Sequence, residues 1–203
     1  MTKGEETRQR IIRKAAPLFN RRGYEGSSMG EIMEATQLEK GGIYRHFSGK
    51  EELAAEAFDY AWSEAIKTRT HDLDQIENSV DRLKQFVTNF VERRPSITGG
   101  CPLLNTAIDS DDGNALLRAR ARKALEQWQT WLRGIIAAGI RKGEIRSEVA
   151  GKRVADVIIS SLEGALMMGR LQQSELPLRN AGEHLHDYLE SQVRALGAKA
   201  RSN

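Results

Sequence analysis

Residues 36–53 read TQLEKGGIYRHFSGKEEL, and the fold turns on the two adjacent glycines in that run. Glycine costs roughly 1 kcal/mol per position in a helix interior relative to alanine. Gly41 and Gly42 stand in a helix expected to cover only residues 39–47, so they do not serve its stability. Bare backbone at this point instead predicts the close approach of another molecule. Directly afterwards, Ser48 and Glu51 have the spacing of a capping box, in which each side chain satisfies the other's orphan amide. That box is expected to open the long helix KEELAAEAFDYAWSEAIK.

Upstream, SSMGEIMEA carries a second capping box, Ser28 with Glu31, and its helix is expected to end at residues 36–38. A first helix from Thr7 to Arg22 would bury Ile12, Ala15, Ala16 and Phe19, with Gly23 as its stop. Pro17 lacks a donor and is expected to kink or distort that helix. Two short helices joined by a tight turn and braced by a preceding helix describe a helix-turn-helix. In such a unit the second helix enters the DNA major groove.

The rest of the chain reads as helix with apolar positions recurring at three and four. Asn78 and Asp81 are expected to cap a helix carrying Leu83, Phe86, Val87 and Phe90, which Pro95 terminates. The segment SITGGCPLLNTAIDSDDGN is expected to be the least regular part. A long helix should run from Ala115 to Arg141, and Ser147 should open another carrying Val154, Ile158 and Leu162. LQQSELPL then breaks the chain, and a last helix carries Leu185, Tyr188, Leu189, Val193 and Leu196 before a frayed tail. The expected fold class is all-α, with about nine helices in two domains. Residues 1–50 are expected to form a three-helix DNA-binding domain, and residues 51–203 a larger helical domain.

Composition sets bounds on these readings. The 203 residues are 39% hydrophobic and 29% charged, and no apolar run reaches the ~20 residues of a membrane span. The polar start MTKGEETRQR lacks an apolar signal core, and the expected location is the cytoplasm. A single cysteine, Cys101, excludes an intrachain disulfide framework and a cysteine zinc site. Residues 1–50 hold ten Lys/Arg against six acids, a net +4. The remaining residues hold 21 against 22, so the basic end suits a polyanion.

The run GYEGSSMGEIMEATQLEKGGIYRHFSGKEEL resembles the DNA-binding domain of the TetR/AcrR family of dimeric one-component transcriptional regulators. The blocks IYRHF and SGKEEL, with the preceding Gly-Tyr and Ser-Ser, carry the likeness over residues 7–53. The resemblance implies a ligand-responsive regulator, most often a repressor, that binds a palindromic operator as a homodimer and releases it on binding a small molecule. It places Ser28, Lys40, Gly41, Gly42, Tyr44, His46 and Lys50 along double-stranded DNA, with Arg45 either on the backbone or paired to an acid. Neither a cofactor nor a metal is implied. Departures from the family pattern are Gln37 for a turn glycine, Glu39 for a capping serine, Gly30 for a base-contacting residue and Gly42 for threonine. Gln37 must then take a left-handed conformation, and Lys40 becomes the candidate for guanine.

Several body residues have two readings. Phe58, Trp62, Phe86, Phe90, Leu104, Trp128, Trp131 and Met167 are ordinary core or, as the resemblance implies, in part the lining of an effector pocket. Cys101, beside a helix start, is a small buried hydrophobe or a thiol that senses electrophiles or oxidants. His184 and His186, two apart on a helix, diverge and do not share a metal. Asp109, Asp111 and Asp112 lack the spacing of a calcium loop and read as a helix-start loop. A helical enzyme or carrier without DNA binding is the alternative from another class, but no nucleophile–base set, phosphate loop or metal-ligand spacing supports it. The last two long helices are the expected dimer surface, and Ser160, Ser161, Gly164 and Ala165 permit close approach.

Overall fold

The computed structural model describes residues 2–111 and 113–197. Among them are nine α-helices: α1 Lys3–Arg22, α2 Met29–Thr36, α3 Lys40–Tyr44, α4 Lys50–Arg69, α5 Ser79–Glu92, α6 Pro102–Asp109, α7 Ala115–Arg141, α8 Gly151–Gln172 and α9 Leu176–Tyr188. A 3₁₀ turn at Leu73–Gln75 and a π turn at Leu189–Val193 complete the set. The β pairing among the described residues is one isolated bridge, Ile145 with Arg194.

Most boundaries follow from caps. Asn78 accepts from the amides of Val80 (2.9 Å) and Asp81 (3.1 Å) and opens α5. Helix α1 starts four residues earlier than expected, because Thr2 and Glu5 form a capping box of their own. It continues unbroken through Pro17. Helix α6 lies in the segment expected to be irregular, started by Pro102 in its first turn. Ser147 does not open α8, which begins at Gly151 with Ala150 as its cap. Pro177 belongs to the first turn of α9 rather than to a break. Leu196 lies beyond the last helical turn and is 91% exposed. Asp112 and residues 198–203 of the tail fall outside the described residues.

The chain divides into two compact units, residues 1–66 with 95–125, and residues 67–94 with 126–203. In the first, Ile11, Ile12, Ala15, Ile32, Ile43, Phe47 and Leu53 form one buried cluster. Each of the Ile, Leu and Phe side chains contributes about 1.5–3 kcal/mol on burial. In the second, Leu83, Phe86, Trp128, Leu132, Ile136, Ile158 and Leu185 are buried.

Helix α6 and the loop before it are tied to α1 by asparagine side chains bonded to backbone carbonyls. The Asn20 side chain donates to the carbonyls of Thr98 (2.9 Å) and Gly100 (3.2 Å). Asn105 donates to the carbonyls of Asn20 (2.8 Å) and Gly99 (2.8 Å). A Cβ at Gly99, where φ is +115°, would lie 2.9 Å from the Asn20 amide nitrogen. Glycine is required there by the fold itself.

Candidate nucleic-acid interface

Ser28 caps α2 as its spacing predicts. Its Oγ accepts from the Glu31 amide (3.2 Å), while Glu31 Oε2 accepts from the Ser28 amide (3.0 Å). Helix α2 ends on Gln37, which takes the left-handed conformation (φ 56°, ψ 40°) that the missing glycine demands. Leu38 and Glu39 complete the turn. Glu39 is extended and gives α3 no side-chain cap, so only its carbonyl serves, accepting from Gly42 (2.8 Å) and Ile43 (3.2 Å).

Helix α3 is sunk into the first core by Ile43, and Phe47 just beyond it adds a second anchor. Lys40, Gly41, Tyr44 and Arg45 are left exposed on the other side. A Cβ at Gly41 would meet nothing within 4 Å, and one at Gly42 only Leu38 at 3.7 Å, an ordinary contact. Neither glycine has a positive φ. Unlike Gly99, this pair is not demanded by the chain's own packing or backbone.

Cations gather around this bare face. The Lys40 ammonium lies 5.8 Å from the Tyr44 ring, and the Lys50 ammonium 4.3 Å from the Tyr24 ring. Arg45 forms no ion pair among the described residues, which leaves its charge uncompensated by an acid. Burial raises the pKa of the Tyr24 phenol, so Tyr24 stays a neutral hydrogen-bond donor beside Lys50. His46 is half-buried.

One organising residue has no signature in the sequence. Arg8 donates to the His46 carbonyl (3.3 Å), lies 4.7 Å over the Phe47 ring and pairs with Glu52 (3.2 Å) and Glu56. The hydrogen bond to Glu56 raises the pKa of the guanidinium. Arg8 thereby ties the end of α3 to α4. The box at the start of α4 also needs correction. Glu52, not Glu51, accepts from the Ser48 amide (2.7 Å) and hydroxyl (2.7 Å), because the helix begins at Lys50 and Glu52 is its third residue. The Ser48 amide holds the Glu52 carboxylate below its ordinary pKa. Glu51 turns elsewhere and accepts from Asn114 (2.7 Å). On the far side, Asp109 accepts from the Tyr24 amide (2.7 Å), so this carboxylate anchors the turn between α1 and α2.

The residues expected to line a pocket are split. Phe58, Trp62, Cys101 and Leu104 belong to the first unit, and Phe86, Phe90, Trp128, Trp131 and Met167 to the second. Phe90 stacks on Trp128 at 6.2 Å, and Phe86 meets Trp131 at 5.2 Å. Met167 is exposed on α8 and stands outside this cluster. Sequence reading missed the charged pair at its heart. The Arg69 guanidinium lies 4.0 Å over the Phe90 ring and 5.3 Å from that of Trp128, with Glu163 at 3.8 Å. Both charged residues are buried.

Also in the second unit, an open groove of about 550 Å³ is lined by Arg94, Leu166, Arg170, Ser174, Glu175 and Arg179. His184 is exposed, whereas His186 is half-buried and hydrogen-bonded to Thr88 (3.1 Å). Burial pushes the His186 imidazole below its ordinary pKa. Cys101 is the buried N-cap residue of α6.

Comparison with known proteins agrees with this architecture. Residues 11–57 match the family model described as bacterial regulatory proteins, tetR family, and residues 79–185 match the Tetracyclin repressor-like, C-terminal domain. A TetR transcriptional regulator from Chloroflexus aurantiacus is 45% identical, with a TM-score of 0.91 over 97% of this chain and 100% of that one. A TetR-family regulator from Cytophaga hutchinsonii is 33% identical, with a TM-score of 0.90 over 98% and 99%. The HTH-type transcriptional repressor DhaR from Mycobacterium sp. is 27% identical, over 84% of this chain and 86% of its own. The helix-turn-helix of α2 and α3 and the helical body are thus those of a known regulator class: the chain belongs to the TetR family of DNA-binding transcriptional regulators and is not an enzyme.

Proposed function

We propose that the protein is a cytoplasmic homodimeric repressor that grips a palindromic operator and releases it when a small molecule binds in the second unit. In this reading residues 1–50 read DNA, while residues 51–203 hold the effector and the partner copy. The observation that carries it is the pair Gly41 and Gly42, bare on an exposed face and unneeded by the fold. Phosphate and base edges can reach that backbone without a side chain intervening. Ser28, Tyr44, Arg45, His46 and Lys50 surround it as phosphate contacts, and Lys40 supplies the candidate bidentate contact to guanine.

Pairing of two copies is supported by α8 and α9. Met167, Met168, Leu171 and Leu176 are 44%, 47%, 79% and 62% exposed, an apolar surface that a second copy would cover. Ser160 and Gly164 on α8 leave room for a neighbouring helix. The effector reading rests on Phe86, Phe90, Trp128 and Trp131 around the buried pair Arg69 and Glu163. A buried ion pair costs desolvation that a plain apolar core would avoid, which fits a site kept for recognition. A hundredfold loss of operator occupancy requires about 2.7 kcal/mol of coupling between the effector and DNA sites.

Selection of the purified protein on a pool of random duplexes tests this function. A palindrome with half-sites about one helical turn apart is expected. Recovery of no common sequence would overturn the proposal.

A further inference from the structure

Helix α1 carries cations of two kinds. Those flanking the core are paired, Arg8 with Glu52 and Glu56, and Arg22 with Glu31. Lys3, Arg10, Arg13, Lys14 and Arg21 are exposed and, among the described residues, join no ion pair; Arg13 stands about 80° to one side, and the other four form a row. At 3.6 residues per turn these four fall within about 40° of one another, about 150° around the axis from the buried stripe. The row is about 27 Å long on a helix without a break. Arg21 Nε donates to the Pro17 carbonyl (3.2 Å), which holds its guanidinium along the helix. Of the nearby acids, Glu5 is taken up by the Thr2 cap, and Glu6 stands about 60° off the row.

The row does not face the groove that α3 would read. Ile43 and Phe47 of that segment enter the same core as Ile11, Ile12 and Ala15, and the row points away from that core. Its chemistry is nonetheless that of a phosphate track. Each strand of duplex DNA carries one negative charge per about 3.4 Å, so the row spans about eight phosphates of one backbone. Lysine and arginine without acidic partners keep their full charge for such a polyanion.

Building on operator binding, we propose that Lys3, Arg10, Lys14 and Arg21 form a second DNA-contact surface, which docks the phosphate backbone flanking the operator on the same DNA molecule. Flanking DNA is favoured as the occupant because, once α3 is seated, it is presented at high effective concentration. Reaching the outer face requires the flank to bend toward the protein.

The test compares the full chain with the variant R10Q/K14Q/R21Q on two duplexes. One is a minimal operator of about 20 base pairs, and the other carries the same site with random flanks to about three times that length. Wild type is expected to bind the longer duplex about tenfold more tightly at low salt, with a steeper salt dependence, by up to about 0.9 per cation in the row. The variant should melt at the wild-type temperature and bind the minimal operator as wild type does, but lose the gain from length. Equal affinity of wild type for both lengths overturns the proposal, as does a gain that survives in the variant. A gain produced equally by flank added as a separate duplex would reassign the row to a second DNA molecule and also overturn it. If wild type ignores the minimal operator, the operator reading fails on its own. The row is then tested by whether the variant weakens binding to long random duplex.

Discussion

At the residue scale, Gly99 and the pair Gly41–Gly42 have opposite reasons for existing. A Cβ at Gly99 would press against Asn20, whereas one at Gly41 would meet nothing within 4 Å and one at Gly42 only an ordinary contact with Leu38. Replacing Gly41 or Gly42 by alanine is therefore expected to raise folding stability by about 0.5–1 kcal/mol, the helix preference of alanine over glycine. The same changes should weaken operator binding at least tenfold, as seen by fluorescence anisotropy. A variant that gained stability and kept full affinity would remove the stated reason for the pair. Gln37 is the converse case, a non-glycine residue held at φ 56°. Gln37→Gly should stabilise the fold by about 1 kcal/mol in urea unfolding. Cys101 is buried to 1% exposure, so a folded sample should be alkylated far more slowly than a denatured one. Rapid alkylation accompanied by operator release would instead support an electrophile sensor.

At the element scale, what could be read from sequence was what is local. The Ser28–Glu31 capping box, the Asn78 cap and the Gln37 turn rest on residues within four positions of one another, and the structure has them. The Glu52 substitution for Glu51 shows the limit of such reading, since one residue's shift in a helix start changes which carboxylate reaches back. Contacts between distant elements had no local signature. Arg8 meets Glu56 across 48 positions and Asn105 meets Asn20 across 85, and only the packed fold brings each pair together. Of helix α6 only the start beside Cys101 was legible, because eight residues between glycines and aspartates show too little periodicity to mark its extent. Met168→Glu with Leu171→Glu on α8 is expected to convert the proposed dimer to a monomer in analytical ultracentrifugation, while leaving helicity intact. His186 on α9 gives a pH signature. Its folded pKa lies below 6.5, so the unfolded chain binds the extra proton between the two values. Stability should therefore rise with pH through that window, and His186→Gln should flatten the rise.

For the whole molecule, the first unit contains more than the helix-turn-helix. Residues 95–125 belong with residues 1–66, and α6 is fastened to α1 by Asn105 and to the α1–α2 turn by Asp109. Helices α4 and α7 each run from one unit into the other, so the two units share continuous backbone. Placing the α2–α3 residues therefore depends on caps and turns near in sequence, while the proposed effector response has α4 and α7 as its covalent links between the two cores. The most direct test of the central claim is one titration, in which the selected palindrome and a scrambled duplex of equal length compete for the protein at physiological salt. Recognition by the bare-backbone face predicts a preference of at least about a thousandfold for the palindrome. Equal affinity for the two duplexes would contradict it.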